Sequence, residues 1–499
     1  MNRILAALSV LLALALVAAP SIADMTVKLK DGRVFTLPIN PGDVDSMSFG
    51  PSGAGAAPSA MAAPPAATPT PFATSPRSNG VAPIPGVSTP STTTATAMSP
   101  APSLAAPSSM PAPPAQKGSG RVLRVGQGKD YKSPSAAFAA AQKGDTIEID
   151  TGNYIGDTAI IKADNLTIRG VGGGRAHLDA DGESANGKAI WVTTGNNTRI
   201  ENIEFSGAKV GDGNGAGIRA EGVNLTLFNC FFHDNQEGIL AGDNPESDII
   251  IDSSAFVHNG TQTGQVHGIY INHIRTLVVR GSVFQLNTIG HHIKSRADVT
   301  YVLYNRIADF ADGTASYDVD LSNGGRAYII GNMIEKGPKA DNFNFIAMAM
   351  EGPTNPNQEL YVVNNTMVLD RSSGVFVHSR SPGTVIVANN IMSGPGDPLQ
   401  GTGKMINNII AGASTPSYLN DNGGGGNKIV RDVGFVDPSK FDYHLKPGSP
   451  AIGAGVDLGP ASGFKLIPDY QNLYPLGVEA RAPSTPVDAG AYRFANVSR

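Results

Sequence analysis

From Arg121 onward the sequence keeps returning to one short alternating segment: GIRAEG, GILAGD, GIYINH, HHIKSR, YDVDLS and GVFVHS. The second inward residue of each gives Ala220, Ala241, Ile271, Ile293, Val319 and Val377, at steps of 21, 30, 22, 26 and 58, the last being twice 29. A second series (LFNCFF, VRGSVF, LYNRIA, IGNMIE, VNNTMV, ANNIMS) places Asn229, Gly281, Asn305, Asn332, Asn365 and Asn390 at a common turn. A period in the twenties, built from strands and Gly/Asn turns with no helical periodicity between them, predicts a solenoid of three-strand coils. Asparagines recurring at one turn can stack their amides from coil to coil. In DYKSPSAAFAAAQKGDTIEID, Ser133 to Ala141 is expected as a capping helix before a strand at Thr146 to Ile149. Such a cap covers the open end of the first coil.

The segments ahead of the repeat differ in composition. Residues 1–23 read as a signal peptide: Arg3, an apolar run from Ile4 to Ala18, then Ser21-Ile22-Ala23 as a small-residue cleavage site. Export to the periplasm or the extracellular space is the expectation, and no stretch predicts a transmembrane segment. Residues 24–50 alternate Val27 and Leu29, then Val34, Phe35 and Leu37, around Asp31-Gly32, the pattern of a small β-hairpin. A cell-envelope partner for this segment is the accompanying expectation. Residues 51–120 are almost all Pro, Ala, Ser, Thr and Gly with Arg77 and Lys117 as the only charges, which predicts a disordered linker. Residues 121–499 form the solenoid domain. A lone Cys230 rules out an internal disulfide, and a net charge of -5 argues against a nucleic-acid partner, which would call for a basic excess.

Alternation turns the repeat into a map of one sheet, since neighbours of inward residues point outward. With Ile271, Ile293, Val319 and Val377 inward, the outer face carries Tyr270 and Asn272, His292 and Lys294, Asp318 and Asp320, and Phe376 and His378. Lys294 is then expected between Asn272 and Asp320, and His292 between Tyr270 and Asp318. The rung at FIAMAM exposes either Met348 and Met350 or Ala347 and Ala349. Between His267 and Arg306 stand Arg275, Arg280, Lys294, Arg296 and Arg306 against the single acid Asp298, followed by Asp309, Asp312, Asp318 and Asp320. A basic band on an elongated face suits a long anionic chain, so an acidic polysaccharide is the expected partner.

The repeat, its cap and the closing HLKPGSPAIGAGVD resemble the right-handed parallel β-helix proteins of the pectate-lyase-like superfamily. That resemblance implies an all-β, right-handed parallel β-helix with an N-terminal capping helix, in a superfamily that mostly acts on acidic polysaccharides. The stretch IKSRADVTYVLYNRIADFADGTASY is similar to polysaccharide lyase family 6, the alginate lyase and chondroitinase B group. That likeness implies a Lys294 base and Ca2+ as cofactor. Asp318 stands where the family has an arginine, and FQLNTIGHHI lacks the glutamates that would hold the calcium.

β-Elimination at a uronate needs a base for the C5 proton, a cation for the carboxylate and an acid for the leaving oxygen. Lys294 or His292 could serve as base, Arg296 and His291 or a metal as the positive group, and Tyr270 as acid. Asp320 beside Lys294 favours its ammonium form, which makes His292 with Asp318 the better dyad on electrostatic grounds. His291 is expected partly inward. Asn272, His267, His291 and His378 are the candidate substrate-binding residues. Two alternatives stand beside the lyase. One is a glycoside hydrolase using Asp318 and Asp320, roughly 6.6 Å apart along a strand, at the low edge of the inverting spacing. The other is a non-catalytic carbohydrate-binding or surface protein whose charges pair rung to rung. His233, His258 and His273 are expected to be structural.

Overall fold

The computed structural model describes residues 25–28, 34–37, 120–261, 266–412 and 425–495. The signal peptide at 1–23, the turn of the hairpin and the linker up to Ser119 lie outside them. Within the first of two compact units, residues 23–105, Met25–Lys28 and Val34–Leu37 pair antiparallel with Val27 opposite Phe35.

In the second unit the solenoid is a parallel β-helix. Ten strands, one from each successive coil, make one parallel sheet from Ala159–Ile161 through Gly396–Gln400. The other two strands of each coil run on through a shared bend and belong to a 22-stranded network. Nearly every inward position is aliphatic or aromatic, and one continuous core fills the interior. Phe205, Phe232, Phe256 and Phe284 stack along that interior at 4.9, 4.8 and 4.6 Å between centroids. The first-coil cap is the helix Pro134–Ala140, with Ser133 as N-cap accepting from the Ala136 amide. Phe138 meets Trp191 edge-on and so closes the core at that end.

The bend has a physical signature in the sequence. Asn305, Asn332, Asn365, Asn390, Asn408 and Asn427 form a buried ladder, each amide donating to the next side-chain oxygen at 2.8–3.0 Å. The residue before the ladder position adopts the left-handed conformation, with φ of 54° at Asn364 and 54° at Asn389. Asparagine and glycine tolerate that conformation best, which explains why they crowd the turn. The expected series is one residue off at its start. Cys230 and Ser282, not Asn229 and Gly281, occupy the ladder position: the Cys230 amide donates to Ser254 Oγ, the Ser254 amide to Ser282 Oγ, and the Ser282 amide to Asn305 Oδ1.

The register of the ten-stranded sheet also corrects the expected rungs. Ile269 pairs with Ile293 and Ile271 with Ser295, so the alignment slips by two residues between these coils. Lys294 therefore lies between Tyr270 and Asp320, and His292 follows Gly268 rather than Tyr270. At FIAMAM, Met348 packs inward and Ala347 stands between Asp320 and His378 on the outer row.

Candidate functional site

A single residue, Ile293, separates His292 from Lys294, and the fold sends their side chains to different places. The position just ahead of Ile293 is occupied in earlier coils by Gly217, Gly238 and Gly268. A Cβ there would press on Phe232, Phe256 and Phe284, so this position faces the core. His292 and Asp318 inherit that direction and are buried, at 1% and 0% exposure. The expectation of an outward His292–Asp318 dyad is corrected: the two are neighbours, but inside the corner where the coil closes. There His292 Nε2 meets Asp309 Oδ1 at 2.9 Å, and Lys336 Nζ meets Asp318 Oδ2 at 3.3 Å while donating to the Ser316 carbonyl at 2.6 Å. Burial pushes the Asp318 carboxyl well above its ordinary range, against the pull of Lys336. Glu335 beside them is pushed up to about 8, by burial first.

The outer row presents Tyr270, Lys294 and Asp320 on successive strands, flanked by Arg296. A carboxylate sits between the two cations: Glu351 Oε1 is 2.8 Å from Lys294 Nζ, and Oε2 is 2.6 Å from an Arg296 nitrogen. Arg296 Nε–H also donates to the Tyr270 hydroxyl at 3.0 Å, and its NH1 to Asn323 Oδ1 at 2.6 Å. Every arm of the guanidinium fork is thus fixed, and the Tyr270 hydroxyl, accepting from Arg296, keeps its own proton to give elsewhere. Both cations lie near the Tyr270 ring, at 5.8 and 5.7 Å from its centroid. Burial works to raise the Glu351 carboxyl, but its bonds to Lys294 and Arg296 prevail and hold it below the usual carboxylate range.

Beneath Lys294 lies a buried polar layer. Asp320 Oδ2 accepts from Ser322 Oγ at 2.6 Å and stands 3.4 Å from Lys294 Nζ and 3.5 Å from His291 Nε2. Burial pushes Asp320 up. His291 belongs to this outer layer, contrary to the partly inward placement expected. It stacks between His267 at 4.6 Å and Tyr317 at 4.7 Å. His291 Nδ1 accepts from the Tyr317 amide, and His267 Nδ1 from the His291 amide, so in the neutral imidazoles the protons sit on Nε2. Burial, then Lys294 and Arg296, lowers His267 to about 3, and burial takes His291 well below its ordinary value. Glu237, one coil before His267, is likewise buried and its carboxyl held well above its ordinary value by burial.

An open cleft of about 560 Å³ runs beside this row, lined by Tyr270, Asn272, Arg296, Asp298, Asn323 and Asn355 among others. Its far wall is the turn that carries Glu351, strapped down where Asn355 Nδ2 donates to the Arg296 and Ala297 carbonyls at 3.0 and 2.9 Å. His378 is half-buried two rungs beyond Asp320, its Nδ1 without a hydrogen-bond partner. The structure thus brings together Tyr270, Lys294, Arg296, Asp320, His267 and His291, with Asn272 lining the adjoining cleft. Glu351, Tyr317 and Glu237 were not singled out in the sequence. Glu351 lies in a turn between strands, 57 residues from Lys294, where alternation carries no signal.

Calcium does not fit this face. A Ca2+ ion takes six to eight oxygen ligands, whereas Asp320 and Glu351 are already neutralised by Lys294 and Arg296 at 2.6–3.4 Å. The residues present suit an organic carboxylate better than a hard cation.

Fold and face together define a parallel β-helix protein with a cationic seat for a carboxylate beside a long open cleft. No protein-family model matches the chain, and no curated protein matches it. Among solved structures, the crystal structure of pectate lyase Pel9A is similar to it with a TM-score of 0.45 and 16% identity, over 75% of this chain and 96% of that one.

Proposed function

We propose that the protein is an exported enzyme that cleaves a uronic-acid-containing polysaccharide by β-elimination. One observation carries this reading: Lys294 and Arg296 already grip a carboxylate, that of Glu351, one cation on each oxygen, and Arg296 also lines the cleft. A uronate carboxylate that displaces Glu351 would meet Arg296 as its cation, with Lys294 and Tyr270 at its side. Charge neutralisation there acidifies the C5 proton, because the developing enolate is met by fixed positive charge.

In this scheme Lys294 Nζ takes the C5 proton, the C4–O bond breaks, and the electron pair forms the C4–C5 double bond. The Tyr270 hydroxyl gives its proton to the leaving oxygen, and Arg296 steadies the resulting phenolate. Lys294 must be neutral to act. The hydrolase alternative loses one of its two carboxylates, since Asp318 is enclosed in the corner with Lys336 and does not face the cleft.

The test is ultraviolet absorbance from unsaturated uronate during incubation with alginate, pectate, chondroitin and glucuronan, beside Lys294→Ala and Arg296→Ala. Rising absorbance on one polymer, abolished in both variants, is the expected result. A flat trace across the panel, with polymer retained on the protein but no new ends, would replace the lyase by a binding protein. New reducing ends without unsaturation would point to hydrolysis.

A further inference from the structure

Far from the carboxylate seat, on the outside of the third strand layer, three successive coils place His177, Glu204 and His233 together. His177 pairs in register with Glu204, and Ser206, two residues on, pairs with His233. His177 Nε2 lies 3.8 Å and His233 Nε2 3.1 Å from the same oxygen, Glu204 Oε1, and the three donor atoms all fall within 4.8 Å of one another. We propose that this cluster is a binding site for a divalent transition ion of the zinc type.

Several features of the cluster belong to a ligand set rather than to a chance ion pair. Both rings turn Nε2 to the shared carboxylate, and each is held there from behind. His233 Nδ1 bonds Asp234 Oδ2 at 2.7 Å, and His177 Nδ1 faces Asn153 Oδ1 at 3.2 Å. A carboxylate or amide oxygen on the far nitrogen fixes ring orientation and makes the imidazole a better ligand. Asp234 is itself steadied by His258 Nδ1 at 2.6 Å. Ser206 Oγ, 2.7 Å from His177 Nε2, marks where a fourth oxygen, its own or a water's, can complete a tetrahedron. Zinc bonds of about 2.0–2.2 Å to nitrogen and oxygen set tetrahedral donors about 3.4 Å apart, between the 3.1 and 3.8 Å at which the two imidazole nitrogens stand from Glu204 Oε1.

Two imidazoles and one carboxylate select zinc, cobalt, nickel or copper over calcium and magnesium, which prefer all-oxygen sets. The nearest cation, Arg175, is turned away, with its Nε and NH2 bonded to the Asn229 carbonyl and Oδ1 and its guanidinium over Phe231. The three ligands remain about one-quarter exposed, which leaves a path for the ion. They stand on a different sheet from Lys294 and share no residue with the carboxylate seat, so this site does not rest on the proposed lyase chemistry.

The experiment is calorimetric titration of zinc chloride into the tag-free, chelator-treated full chain, with cobalt absorption as a second readout. Binding of one equivalent, with a tetrahedral cobalt spectrum, is expected. Affinity should fall at least 100-fold in His233→Ala and in Glu204→Gln, and about tenfold in Asp234→Asn, the outer-shell change. Glu204→Gln keeps the side-chain shape, and thermal melting of each variant shows that it is folded. Absence of saturable zinc uptake by the wild type would overturn the proposal. So would uptake that persists unchanged in both ligand variants, because the ion would then sit elsewhere.

Discussion

The closed corner around His292 and the open row around Lys294 contain the same kinds of residue and put them to opposite uses. In the corner, His292, Asp309, Asp318 and Lys336 pair with one another out of reach of solvent. On the row, Lys294 and Arg296 pair with Glu351, whose side chain is 45% exposed and, in the proposed function, gives way to a substrate carboxylate. A buried ion pair contributes little net stability, yet losing one partner is costly, because the other charge is left stranded. An exposed partner can leave with little penalty. Chemistry of similar type is therefore closed off in one place and meets solvent through Glu351 in the other.

The sharpest way to break this comparison is to delete the lysine in each region. Lys294→Ala should lower turnover on the substrate polymer by about 10²–10⁴-fold, the usual range for a positioned proton-transfer group, while the protein stays folded. Lys336→Ala should do the converse. With Asp318 and the Ser316 carbonyl both left without their partner, unfolding in denaturant should reveal a loss of about 1–3 kcal/mol for each orphaned group. If Lys336→Ala melts like wild type, the corner is not the closed unit described.

Between these extremes lies the asparagine ladder. Asn365→Ala removes the acceptor for the Asn332 amide and the donor to Asn390, and should cost about 1–3 kcal/mol per orphaned buried group, read by thermal melting.

A titration sharpens the contrast further. Burial, with Asp309 and Asp370 nearby, raises Glu335 from 4.5 to about 8 in spite of the Phe310 amide. The folded corner holds a proton that the unfolded chain releases at lower pH. This group's contribution to stability is therefore complete below pH 4.5 and is lost as pH climbs towards about 8. Glu335→Gln should flatten that slope in stability measured across the same interval, and an unchanged slope would place the proton elsewhere. The smallest effect is expected at the exchangeable partner. Glu351→Gln should tighten binding of an anionic oligosaccharide by a few-fold, with stability changed by less than about 1 kcal/mol. Weaker binding would mean that Glu351 aids the ligand rather than standing in for it.

Much of the fold was legible because period and composition agree: three-strand coils, asparagine turns and a capping helix at the predicted place. The adjacency of Lys294 to Asp320 and of His292 to Asp318 was legible too. The step from Ile271 to Ile293 was not, for a definite reason. A slip of two residues leaves every side chain on the same face, so alternation detects a one-residue error but is blind to this one. The inward turn of His292 was hidden because alternation holds along a strand and fails where the chain bends into a corner. The glycines at its counterpart positions in earlier coils were the available clue. Glu351 lay beyond reach because its partners are set by how a turn folds back over the sheet.

One feature of the C-terminal region changes how the coils relate to each other. Phe464 and Leu466 pack over Tyr301, Tyr328 and Tyr361, the Gly477 amide donates to the Gly281 carbonyl, and Asn472 donates to the Tyr304 carbonyl across 168 residues. A simple stack of repeats exchanges stability only between neighbours and can fray coil by coil from either end. A strap laid along the outside of several coils couples them directly, so one cannot open without loosening the others. It also makes the middle of the array wait for a segment synthesised long after it, and trades the rapid, local assembly of a repeat protein for a single cooperative unit.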